Sequence, residues 1–270
     1  MWSVTKGVKA RVAVLSDVHG NATALAAVLD ELAREEHDLI VFGGDLTWGA
    51  QPEETYRLAS DLDALFVRGN ADRALIEGDV ESERARWMQE RHTAEMLSFA
   101  GGFEENVVVE VEGLGAVRLC HGSPRSDEEC VTPETPEERV REFSAGVPER
   151  VIVSAHVHIQ FDREVGGIRS VNAGSVGLPY EGRPGAFWAL LGPDVELRRT
   201  DYDVERAAAS YAESGFPDAG QLSEMLLAPP EPAEVIEDAE RRVVRRSGRG
   251  EARRAYHLCR DRSGTASRCL

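Results

Sequence analysis

The chain has 270 residues, 42% of them hydrophobic and 29% charged, which fits a globular protein long enough to bury a full core in one large domain or two small ones. No apolar run approaches the roughly 20 residues a spanning helix needs, and the N-terminal WSVTKGVKARVAVLSD is too short in apolar residues for a signal peptide; a cytoplasmic protein with no membrane partner is therefore expected. The net charge of −17 is uneven: from residue 241 on, ten arginines face only Glu251 and Asp261, a local +8 that leaves −25 on residues 1–240, and so acidic a body repels nucleic acid at long range.

The first half alternates strand-like and helix-like runs. Residues 11–16 (RVAVLS) form a short β-branched apolar run, followed by DVHGN and a helix-period stretch over 22–34. Residues 38–42 repeat the pattern before Gly43-Gly44-Asp45, and residues 63–67 repeat it before Arg68-Gly69-Asn70. Polar candidates thus stand directly after apolar strands, where open α/β sheets bind their ligands. Residues 81–100 read as a helical hairpin or one long helix inserted over that place. Beyond them, 106–111, 116–120, 150–153, 168–171, 186–191 and 195–199 are short, β-rich and closely spaced, as in hairpins and a second sheet. The predicted fold is α/β, a four-layer α-β-β-α sandwich of two mixed β-sheets flanked by helices, with the site at strand C-terminal ends.

After residue 200 come a helix over 204–214, a turn at 215–217, a proline-rich linker at 228–232 and a helix over 233–246 whose acidic start and basic end complement the helix dipole. The remaining tail reads as disordered. The domain plan is therefore a main domain over 1–200, a helical extension over 201–227, and a linker, helix and basic tail over 228–270. The four cysteines, Cys120, Cys130, Cys259 and Cys269, lack C-x-x-C spacing and are expected to be reduced thiols.

The chemistry sits in five clusters: DVHGN, GGDL, RGNAD, CHGSP and SAHVH. Asp17-x-His19 and His156-x-His158 each place two ligands two residues apart, which on extended backbone point the same way. Either pair alone is as readily structural, since Asp or His at a strand end often satisfies loop backbone groups. Together with Asp45, Asn70 and His121 they make a mixed N/O set suited to Mn, Fe, Ni or Zn.

The ordered series D-x-H, G-D, G-N, H-G, H-x-H resembles the calcineurin-like metallophosphoesterases, over roughly residues 11–199 and including GDLTWGAQPEE, HGSP and VNAGSVG; the compact bacterial and archaeal phosphodiesterases of that superfamily are closest in character. The resemblance implies two divalent metal ions, manganese first among them, one held by Asp17, His19, Asp45 and His158 and the other by Asp45, Asn70, His121 and His156. Asp45 would bridge, and a hydroxide shared by the ions would attack a phosphodiester. The implied partner is a small phosphoester substrate, with nucleic acid left open because of the basic tail and oligomeric state unassigned.

Two positions depart from the family pattern. Where a histidine usually follows the G-N, credited with protonating the leaving group, this chain has Ala71, so good leaving groups should be favoured. Relatives with a non-histidine there include active phosphodiesterases and a eukaryotic retromer subunit that uses the fold mainly as a binding scaffold, so a non-catalytic interaction module and a nuclease stand as alternatives. Ala155 replaces the glycine before H-x-H, which is tolerable if its φ is negative. Asp72 is the candidate acid in place of the missing histidine, against a role in orienting a neighbouring loop. His92 is expected on a helix surface, and the glycine-rich 172–177 turn is read as packing beneath the metal loops, with a backbone phosphate nest as the other reading. His37, His257 and the cysteines receive structural readings, with Cys120 facing away from the site.

Overall fold

The computed structural model describes residues 7–247, together with three short strands outside that span, the first being β1 (Ser3–Val4). VAVL, LIVF and ALF are apolar runs too short for a helix, and they form the parallel strands β2 (Val12–Leu15), β3 (Leu39–Phe42) and β4 (Ala64–Phe66). Between them lie α1 (Ala22–Leu32), capped by the Asn21 side chain accepting from the Ala24 amide, and α2 (Pro52–Ala59), which starts on a proline. After β4 come α3 (Asn70–Ile76), α4 (Glu83–Arg91) and α5 (Ala94–Ala100).

The second half supplies β5 (Asn106–Val111), β6 (Gly115–Cys120), α6 (Glu137–Phe143), β7 (Val151–Ser154), β8 (Phe161–Val165), β9 (Ile168–Asn172), β10 (Ala186–Leu191) and β11 (Val195–Thr200). Helices α7 (Val204–Glu213), α8 (Ala219–Leu227) and α9 (Pro232–Ser247) follow, and β12 (Leu258–Arg260) pairs antiparallel with β13 (Ala266–Arg268). The basic tail otherwise lies outside the described residues, and with it the expectation of disorder.

One sheet runs β1-β5-β6-β7-β9-β8 and the other β11-β10-β2-β3-β4. Both are mixed, and their inner faces meet in a valine-rich core: Val12, Val14 and Val41 from one, Val107, Val109, Val117, Val153 and Val171 from the other. Outside the second sheet, Leu25, Val28 and Leu32 of α1 pack on Leu15, Phe42 and Trp188; outside the first, Val140 and Phe143 of α6 and Ile236 of α9 pack on Ile152 and Phe161. This is the expected four-layer sandwich. Its consequence for the site is directional: β2, β3 and β4 run parallel in one sheet and β6, β7 and β9 in the other, so the loops after all six carry the polar clusters.

Eight of the described elements were absent from the sequence reading: β1, β8, β12, β13, α2, α3, α6 and α8. Strand β8 (FDREV) carries charge at three of five positions because it is an edge strand, and α2, α3, α6 and α8 are seven to nine residues long, too short for a firm 3.6-residue period. The predicted 81–100 helix is two helices. They break where His92 takes an extended ψ of 119° and the Thr93 side chain caps α5 by accepting from the Met96 amide. The extension after residue 200 shares a core with the loops of the site, Ala207, Ala208, Tyr211 and Leu222 packing with Trp48, Ala71 and Leu75.

Candidate metal centre

Six non-glycine residues among those described have positive φ, and five are candidate ligands: Asp17 (51°), His19 (48°), Asp45 (53°), His156 (67°) and His158 (59°). The left-handed region is uncommon for any residue with a Cβ. The D-x-H and H-x-H pairs are therefore not the extended dipeptides assumed from sequence; alternate left-handed residues aim both members inward instead. A ladder of backbone bonds holds them there: Asp17 N to Gly44 O at 3.0 Å, His19 N to Asp45 O at 3.0 Å, Ala155 N to His121 O at 2.8 Å and Gly177 N to Asp17 O at 3.1 Å. Ala155 itself is not among the positive-φ residues, so the missing glycine costs nothing. Close approach does demand glycine at 69, where a Cβ would overlap the Asp45 carboxylate.

The side chains converge in a buried cluster. His158 Nε2 lies 3.1 Å from Asp17 Oδ1, and His19 Nε2 lies 3.8 Å from the same oxygen. Asp45 Oδ1 accepts from the Ala71 amide at 2.9 Å, which leaves Oδ2 facing His121 Nε2 at 3.5 Å and His19 Nε2 at 3.7 Å. Asn70 Oδ1 is 3.1 Å from His121 Nε2, and the His156 ring packs edge-on against His121 with centroids 5.0 Å apart. Two triads have ligand atoms close enough to share an ion, Asp17–His19–His158 and Asp17–Asp45–His121. Asp17 stands in both, while Asp45 Oδ2 looks toward a histidine of each. Asn70 and His156 border the second triad.

Backbone carbonyls fix the imidazole tautomers. Nδ1 of His19 bonds Trp48 O at 3.2 Å, that of His121 bonds Gly43 O at 2.8 Å, and that of His158 bonds Leu178 O at 2.7 Å. A carbonyl only accepts, so each Nδ1 carries the hydrogen and a neutral ring presents its Nε2 lone pair to the centre. The Nε2 atoms of His19 and His158 face each other at 3.1 Å, and Asp17 Oδ1 lies 3.1 Å from the same His158 Nε2. Donor atoms gathered this closely suit a cation.

Electrostatics point the same way. Burial and the neighbouring His158 push His19 down to about 4; burial also opposes charge on His121, yet the Asp45 carboxylate outweighs it and raises that ring to about 10. A proton on His121 near neutral pH must leave before a metal enters. Apparent metal affinity is accordingly expected to rise with pH, by roughly tenfold per unit for one displaced proton as long as the pH stays below the His121 value. Calorimetric titration in buffers of different ionisation enthalpy measures the release; pH-independent uptake with no proton released would contradict it.

Asp72 is buried and is not aimed at the centre. Its Oδ2 accepts from the amides of Asp45 (2.8 Å) and Gly69 (2.9 Å), and its Oδ1 from Leu46 (3.2 Å). Burial and the nearby Asp45 raise it to about 6, while the three amides favour its charged form. Its work is to clamp the Asp45 loop to the start of α3, the loop-orienting alternative. His92 corrects another expectation: it is buried, with Nδ1 2.8 Å from Met88 O and Nε2 3.0 Å from Thr47 Oγ1, so it joins the α4 C-terminus to the loop after Asp45. In the 172–177 turn, the amides of Ala173, Gly174, Val176 and Gly177 all donate within the protein and Ser175 Oγ donates to Asp17 O at 2.7 Å, so the turn braces the Asp17 loop and leaves no phosphate nest. Cys120 packs with Val140 and Ile152 on the helix-covered face, and burial pushes its thiol up to about 12.

Sequence reasoning missed Tyr211. From α7 its hydroxyl donates to His19 O at 2.5 Å, a contact 192 residues apart in sequence with no local signal. Tyr211→Phe leaves a buried carbonyl without that donor, and a loss of about 1–3 kcal/mol in stability is expected. Thermal denaturation of the two proteins checks it, and unchanged melting would show that the bond contributes nothing.

A family model described as the calcineurin-like phosphoesterase superfamily domain matches residues 11–191. The Methanocaldococcus jannaschii protein MJ0912, described as uncharacterized, is 26% identical over 239 residues, 78% of this chain and 96% of its own. Among solved structures, a metallophosphoesterase from Sphaerobacter thermophilus superposes with a TM-score of 0.66 at 24% identity, covering 80% of this chain and 98% of its own. The hypothetical protein PH1004 from Pyrococcus horikoshii gives 0.68 at 18% identity, covering 82% and 99%. These structures support the fold.

Proposed function

Because the chain belongs to the calcineurin-like phosphoesterase superfamily, we propose that it is a two-metal hydrolase of small phosphodiesters. One observation carries the reading: the Nε2 atoms of His19 and His158 face each other at 3.1 Å with the buried Asp17 Oδ1 3.1 Å from the latter, three donor atoms gathered at one point. That arrangement makes sense around a cation. The ligand sets are those of the family pattern, Asp17, His19, Asp45 and His158 for one ion and Asp45, Asn70, His121 and His156 for the other, with manganese the first choice and Fe, Ni or Zn also suited to the donors. A divalent pair supplies charge neutralisation at the phosphoryl oxygens and acidifies water to make a nucleophile.

The chain's own residues do the rest. Three carbonyls hold the imidazole tautomers, Asp72 clamps the Asp45 loop, and the 172–177 turn braces Asp17. No proton donor stands at Ala71, so the alcohol must leave as its anion, which suits stabilised leaving groups. The buried Ala71, packed with Leu75 and Trp48, equally motivates a scaffold reading in which the protein binds a partner without turnover. Protein stripped of metal, then reloaded with manganese to measured content, separates the two on a panel of phosphomonoesters, phosphodiesters and cyclic nucleotides. Diester turnover that appears only on reloading is expected; an inert loaded protein would sink the hydrolase reading and favour the scaffold.

A further inference from the structure

Beside the metal centre, with His121 in its wall, lies a cavity of about 510 Å³, within the range of about 300–1,000 Å³ for small-molecule pockets. Its lining combines an apolar side, Phe143 and Val147, with the hydroxyls of Ser123 and Ser126 and three arginines, Arg68, Arg73 and Arg125. Three guanidiniums next to a phosphoester centre look at first like a seat for further phosphates. Their bonding says otherwise. Every nitrogen of Arg73 is taken: Nε by Asp127 at 2.6 Å, Nη2 by Glu128 at 2.8 Å and Nη1 by Glu77 at 3.5 Å. Arg125 is likewise spent, Nε and Nη2 on Glu129 and Nη1 on Glu142 at 3.1 Å, and Arg68 Nη2 pairs with Glu105 at 2.9 Å. Arg68 alone keeps a buried nitrogen, Nε, with no hydrogen-bond partner.

Three cations are thus matched by six carboxylates, in a body whose first 240 residues carry −25. A second phosphate here would find one partner-free donor, Arg68 Nε, and would otherwise have to displace a carboxylate from an arginine or sit against the excess of negative charge; a neutral ring or a cation meets an apolar wall and a favourable field. We propose that this cavity receives the organic group of the ester, and that it accepts an uncharged or cationic group while rejecting one that bears further phosphate. The assignment rests on the phosphodiesterase reading for the identity of the centre, but its selectivity is a property of the cavity.

The test uses manganese-loaded full-length protein and two ligands that differ only at the far end, thymidine 5′-methylphosphonate and its 3′-phosphorylated counterpart, titrated calorimetrically. At least about tenfold weaker binding of the 3′-phosphorylated ligand is expected. Glu142→Gln, at an exposed carboxylate, and Glu128→Gln each remove one negative charge from the partners of the lining arginines and should narrow the gap. Equal or tighter binding of the 3′-phosphorylated ligand, a gap unmoved in both variants, or no binding of either ligand would overturn the assignment. Turnover of thymidine 5′-(4-nitrophenyl phosphate), followed in the same preparations, separates the two claims: a gap without turnover keeps the cavity's selectivity and removes the phosphodiesterase reading, whereas turnover without a gap does the reverse.

Discussion

Asp45→Asn is expected to fold, to lose its bound metal and to hydrolyse an activated diester at least about 10²–10³-fold more slowly. The change is isosteric, and the asparagine carbonyl can still accept from the Ala71 amide as Asp45 Oδ1 does. Its amide nitrogen then occupies the place of Oδ2, which faces His121 at 3.5 Å and His19 at 3.7 Å. One negative charge disappears from an atom that looks toward a histidine of each triad, and an N–H donor cannot ligate a cation. Metal analysis after gel filtration, alongside diester kinetics and a melting curve, measures all three effects. Retained metal and activity would remove Asp45 from the ligand set.

The second large effect is on the leaving group. Diesters that release 4-nitrophenolate are expected to turn over, and those that release an aliphatic alkoxide to lag by the factor of about 10²–10⁴ that a general acid ordinarily supplies, beyond their intrinsic difference. Ala71 offers no proton. Asp72 has both oxygens committed to backbone amides, and His92 is tied between Met88 O and Thr47. A series of aryl and alkyl diesters of graded alcohol acidity gives the slope. A shallow slope would show that some group protonates the departing oxygen after all. Asp72→Asn sharpens the comparison: an amide must turn its N–H₂ toward at least one of the three donors Asp72 now accepts, so the expected damage is to metal retention and stability, with no new dependence on leaving-group acidity.

The candidate clusters were legible because each ends an apolar run, and the sheets bring six strand ends to one place, three parallel strands from each. Five-residue strings such as DVHGN and SAHVH carry residue type and spacing, which suffice to nominate the donors. Backbone sign was not legible. Nothing in D-x-H shows that both residues adopt positive φ; the fold brings the nominated pairs together, but through left-handed rather than extended backbone. His92 was misplaced because α4 is only nine residues long and its last turn, at Met88 and His92, folds back on Thr47 through side chains. Tyr211 could not be found from pattern at all, since its partner is a backbone carbonyl at the other end of the chain. Short helices such as α3 were hidden for a related reason: NADRALI spends its first positions on Asn70 and Asp72, leaving too few apolar residues to show a period.

The five left-handed residues also bear on what each side chain costs the fold. For an L-residue that conformation costs roughly 1–2 kcal/mol, whereas glycine adopts it freely and asparagine with little penalty. Glycine would relieve that cost at Asp17, His19, Asp45 or His158, but would also remove the bonds these side chains make with the His156 amide, Trp48 O, the Ala71 amide and Leu178 O. All five positions still hold aspartate or histidine. The backbone angles therefore mark five positions where the conformational preference of the residue and the inward aim of its side chain pull in opposite directions.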